Sequence, residues 1–172
     1  SNGISATEQF GMGYTLIDPF MNTGESWVHN WYDFVSLEEA DANPDWASND
    51  STRWQGCWTS RGNKESYAKL VDHIAGKIIK YLKQYPDKSS IMIGQHDIGG
   101  NTPNVQNCKC TSCQASYAYY GTMAGAWLSL CNRAAVKVNE YLATEEAINF
   151  FGGEKDWNLL ELVYQTSVNP PS

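Results

Sequence analysis

Positive charge is scarce in this chain. Twelve Lys and Arg stand against nineteen Asp and Glu, giving a formal net charge of −7. Phosphate binding needs clustered cations, so no nucleic-acid partner is expected. Long apolar runs are missing as well. None approaches the ~18–20 residues that would span a membrane, and there is no signal-peptide pattern. The chain opens Ser1-Asn2-Gly3 without an initiator Met. That start reads as a trimmed one, and residues 1–172 as a single domain taken from a longer protein whose remainder would be its partner. Charged residues make up only 18% of the sequence and hydrophobic ones 42%, the balance of a globular chain rather than a disordered one.

Aromatic residues, by contrast, are abundant, with seven Trp and ten Tyr. Such residues fill cores, and they also form platforms on which sugar rings stack. The apolar pattern then sets the organisation. In "ESYAKLVDHIAGKIIKYLKQY" (65–85), Tyr67, Leu70, Val71, Ile74, Ile78, Tyr81 and Leu82 fall on one helical stripe, and Pro86 ends it. The unbroken run Ile91-Met92-Ile93 reads as a strand covered on both faces. A second stripe, Met123 to Tyr141, predicts one helix over roughly 117–143, and "WNLLELVYQTS" (157–167) predicts another strand. Earlier strands are expected in 10–17 and 26–35, with 36–64 irregular. Helices alternating with buried strands imply βα crossovers on a parallel sheet.

In parallel α/β folds, ligands bind beyond the C-terminal ends of the strands. Three polar clusters fall at such ends: His29-Asn30-Trp31, Gln95-His96-Asp97 and Tyr164-Gln165-Thr166. Asp97, just past a buried strand and beside His96, has the placement of an acid, a base or an orienting group for a substrate hydroxyl. It also fits loop capping, since Asp97-Ile98-Gly99-Gly100 is a favourable turn. A glycosidase needs a second carboxylate, and Glu161, Asp18 and Asp33 are the available ones. His73, inside the first helix, reads as structural. Cys108, Cys110 and Cys113 are spaced C-x-C-x2-C, and Cys57 can complete a four-thiolate zinc cage. In an oxidising compartment the same four would form two disulfides, with Cys131 a buried free thiol, and four unlinked thiols are the third reading. Either linkage pins a long loop and leaves the chemistry independent of any cofactor.

The stretches "IMIGQHDIGG", "CKCTSC", "YGTMAGAWLSLCNRAA" and "YQTSVNPP", with upstream "HNWYDFV", "NPDWAS" and "CWTSRGN", resemble a family of domains of unknown function numbered 4838. Its members are secreted, mostly bacterial, multi-modular proteins, and the family borders glycoside hydrolase family 163, endo-β-N-acetylglucosaminidases. The resemblance implies parallel βα units of (β/α)8 type, here a partial or minimal TIM-like barrel. It also implies a glycoside-hydrolase-like activity on glycans at a secreted or cell-surface location. Carried over by residue, Asp97 is the acidic position, with His29, Gln95 and Tyr164 as further pocket matches. The expected site is therefore Asp97, His96 and Glu161 for catalysis, with His29, Trp31, Trp58, Gln95 and Tyr164 for substrate. A non-catalytic glycan-binding or scaffold module is the alternative.

Overall fold

In a computed structural model, the described residues are 16–17, 30–48, 55–95 and 107–161. Three strands, β1 (Leu16–Ile17), β2 (Ser90–Ile93) and β3 (Asn158–Glu161), form one sheet in the order β1-β2-β3. Both pairings are parallel: Leu16 lies opposite Ser90, and β3 runs alongside β2 from Asn158 opposite Ser90 to Glu161 opposite Ile93. Parallel neighbours need crossovers, and helices supply them. α1 (Trp31–Phe34), α2 (Leu37–Ala42) and α3 (Lys64–Gln84) lie between β1 and β2. α4 (Thr111–Tyr120), α5 (Ala124–Leu142) and α6 (Glu145–Phe151) lie between β2 and β3. The expected α/β class holds. Among the described residues the sheet has three strands, and no closed barrel is formed.

The core is set by two amphipathic helices. The Asn63 side chain caps α3 by accepting from the Ser66 N–H at 3.1 Å, and Leu70, Val71, Ile74, Ala75, Ile78 and Leu82 are buried. α5 buries Trp127, Leu130, Cys131, Ala134 and Val138. These two faces meet Ile91 and Ile93 of β2 in one hydrophobic cluster. Every residue of β2 is buried, which accounts for its lack of alternation. Asn30 extends the hydrogen bonding along β2. Fully buried, it donates from Nδ2 to the Met92 carbonyl (2.8 Å) and accepts at Oδ1 from the Gly94 N–H (2.6 Å).

Several expected elements differ. The described part of the expected 26–35 strand is the helical turn α1. Trp31, Phe34 and Val35 are buried at i, i+3 and i+4, the spacing of a helix face rather than of a strand. The single helix expected over 117–143 is two, because Gly121 takes a left-handed φ of 68° that ends α4. The stretch expected to be irregular contains α2, started by a Ser36–Glu39 capping box in which each side chain bonds the other's backbone N–H. His73 is structural, as expected: its Nε2–H donates to the Phe34 carbonyl at 2.8 Å and lies 3.3 Å from Glu39.

Candidate metal centre

Cys57 arrives at the end of a short antiparallel ribbon. Ala47 and Gly56 form a β-bridge, and the Cys57 N–H donates to the Trp46 carbonyl at 2.8 Å. The chain then turns sharply through three consecutive left-handed residues, Ser60 (φ 44°), Arg61 (54°) and Gly62 (83°). Non-glycine residues enter that region only under constraint. The constraint here has a visible product, because the turn aims the Arg61 N–H at the Cys57 sulfur, 3.1 Å away. Across from this knuckle, Cys110 caps α4, its Sγ accepting from the Cys113 N–H at 3.3 Å.

The four sulfurs of Cys57, Cys108, Cys110 and Cys113 all lie within 4.8 Å of one another. Cys57 Sγ is 3.6 Å from Cys113 Sγ and 3.8 Å from Cys110 Sγ. A disulfide needs about 2.05 Å, and all five cysteines are free thiols. A zinc ion with four sulfurs at about 2.3 Å in a tetrahedron sets its sulfurs about 3.8 Å apart, so the cluster has the dimensions of such a cage. Cys57, Cys108 and Cys113 are buried and Cys110 is half-buried. The surroundings also fit thiolate ligands, which need donors around them. Besides the two backbone N–H groups, the Thr59 hydroxyl lies 3.2 Å from Cys113 Sγ.

Electrostatics within the cluster point the same way. Hydrogen bonds from the Cys108 and Cys113 thiols, helped by the backbone of Thr59 and Arg61, hold the Cys57 thiol far below its usual range. The Cys108 thiol is pushed up, by its contacts with Cys113 and Cys57 and by burial. One thiolate is thus favoured and a second beside it is not. Four thiolates in this space require a cation. Tyr117 closes the cage from α4, and burial and the adjacent Cys113 push its phenol up. Cys131 lies apart, on the fully buried face of α5.

The other expected site residues are distributed differently. Gln95 is buried (3% exposed) just beyond the C-terminal end of β2, and Glu161 ends β3 one strand over. Burial raises the Glu161 carboxyl to about 7, and its Oε2 has no hydrogen-bond partner among the described residues. Its side chain lies on the same strand face as Leu159, which packs into the helical core, and its charge is felt by Cys131 of α5. Trp31 and Trp58, expected as sugar platforms, are core residues instead, 2% and 1% exposed. They stack edge-to-face on each other (4.9 Å) and on Trp127 (5.9 and 4.6 Å), so no open ring face remains for a sugar. Asp33 is half-buried on α1. His29, His96, Asp97, Asp18 and Tyr164 lie outside the described residues. Sequence reasoning missed the knuckle donors and the Asn30 tether. "CWTSRG" did carry a signal, a cysteine followed by small and polar turn residues.

Fold and site together define a class: a parallel α/β domain with a four-cysteine cage docking one of its helices. The chain belongs to the family described as Domain of unknown function (DUF4838), whose model matches residues 5–149. No curated protein and no solved structure matches it.

Proposed function

We propose that the chain is a carbohydrate-active domain of glycoside hydrolase type, acting on glycans, with a structural zinc ion held by Cys57, Cys108, Cys110 and Cys113. The observation that supports the glycan reading most is the polar end of the parallel sheet. β2 delivers Gln95 there, and the sequence continues at once into His96 and Asp97. In this reading the domain is a module of a longer, exported bacterial protein, and its βα units belong to a (β/α)8-type barrel. Glycoside hydrolysis needs one carboxyl that is protonated near neutral pH and gives its proton to the leaving oxygen. A second carboxylate activates water or attacks the sugar carbon. Glu161, raised to about 7, has the protonation behaviour of the first, and Asp97 is assigned the second role. Zinc supplies no chemistry in this scheme. It ties Cys108 and the start of α4 to the turn that follows Cys57. Asp97→Asn in the full-length protein should abolish release of sugar from its glycan while leaving the melting temperature within about 2 °C. Equal loss of activity and fold would assign Asp97 to structure and sink the catalytic role.

A second reading, a non-catalytic glycan-binding or scaffold module, is favoured by two placements. Glu161 faces the helical layer, and Trp31 and Trp58 are consumed by the core. Glycan capture without turnover by the full-length protein would select it.

A further inference from the structure

We propose that the cleft between α3, α4 and α5 binds a negatively charged sugar ring, a hexuronate. The cleft has a volume of about 240 Å³ and lies beside the cysteine cage. Its floor is the edge of Trp58 and Ala126. Its sides are Tyr67 and Lys64 of α3, Tyr120 of α4, and Ser129 and Arg133 of α5. None of these lining residues is acidic, although the chain carries a net charge of −7. The nearest carboxylate in sequence, Glu65, is paired with Lys69 at 2.8 Å. Lys64 and Arg133 also line the adjoining cavity that holds Asp72, whose carboxylate lies 3.6 Å from Lys137; the cleft itself brings together two cations and no carboxylate, which favours an anion.

Its aromatic walls narrow the choice further. Tyr67 and Tyr120 are half-buried and both line the cleft. Tyr120 is seated directly on Gly125, where a Cβ would come within 2.2 Å of the ring. Glycine at that position is what lets the ring lie against α5. The Arg133 guanidinium sits 5.8 Å from the Tyr67 ring centre. Arginine held over an aromatic face presents its fork of donors to a carboxylate in a bidentate pair, more geometrically selective than an ammonium point charge. The Tyr67 and Tyr120 side chains beside the C–H side of a ring, the Ser116 hydroxyl and a carboxylate clamp together describe a uronic acid better than a bare anion.

This inference stands apart from the strand-exit reading, since the cleft shares no residue with Gln95, Asp97 or Glu161. The test is titration of the full, zinc-replete chain with glucuronate, galacturonate, glucose and inorganic phosphate, followed by amide NMR shifts. Arg133 is exposed, so Arg133→Gln should leave the fold intact, and an unchanged melting temperature verifies that. A uronate should move the amides of Lys64, Tyr67, Tyr120 and Arg133, with glucose and phosphate each at least about tenfold weaker. Arg133→Gln should weaken the uronate by about tenfold or more, with Arg133→Lys in between. Equal binding of glucose, equal binding of phosphate, indifference to Arg133→Gln, or shifts confined to other residues would each overturn the assignment.

Discussion

Glu161 is the last described residue of β3, and burial governs its protonation. Its side chain lies on the strand face of Leu159, against the helical layer, and among the described residues Oε2 has no hydrogen-bond partner. The energetic consequence has a definite sign. Burial raises its folded-state value from 4.5 to about 7, so the folded protein holds a proton that the unfolded chain releases between those limits. Stability is therefore full below about pH 4.5 and falls as pH rises towards 7. Glu161→Gln should remove that decline. At pH 8 the variant should be more stable than the parent by on the order of 1–2 kcal/mol, allowing for partial exposure, and near pH 4 the two should match. Denaturant melts at both pH values decide it. A variant destabilised at pH 8 would mean that the carboxylate has a partner the fold depends on.

At the scale of elements, α4 is the informative one. Helices normally dock through an apolar stripe. Yet α4 buries only Cys113 among its ten residues. Tyr117 packs against the core and Tyr120 against Gly125, and the rest of the helix's anchorage is the cage: Cys110 at its cap, Cys113 in its first turn, and Cys57 reaching across from the knuckle before α3. Stripping metal with a strong chelator should therefore release α4 selectively. Amide exchange across Thr111–Tyr120 should become fast while α3 and α5, joined through a continuous core, stay protected. Uniform loss of protection would show that the cage supports the whole fold, and no change would show that it supports nothing. The contrast also explains what was legible. α3 and β2 were readable because burial wrote a 3.6-residue stripe and an unbroken apolar run into them. α1 was misread because four residues are too short to display a period. The division of α4 from α5 rests on one left-handed glycine inside an otherwise continuous apolar pattern.

Across the whole molecule, two hydrophobic helices and a buried strand make one core, and the cysteine cage makes a second, separate anchor. The sequence announced the C-x-C-x2-C spacing but could not choose between zinc and disulfides. That choice depends on distances brought about by a tertiary meeting, Cys57 with a segment more than fifty residues away. The aromatic richness was legible only as richness. Trp31, Trp58 and Trp127 found one another in the core rather than a ligand, because three indoles in mutual contact bury more surface than three at a rim. The cage is the feature on which the docking of α4 and the α4 wall of the uronate cleft both depend. X-ray absorption at the zinc edge, with metal content measured on the same sample, tests it most directly. One zinc per chain with four sulfurs at about 2.3 Å is the predicted result. A metal-free chain in which Cys57, Cys108, Cys110 and Cys113 are paired as two disulfides would contradict it.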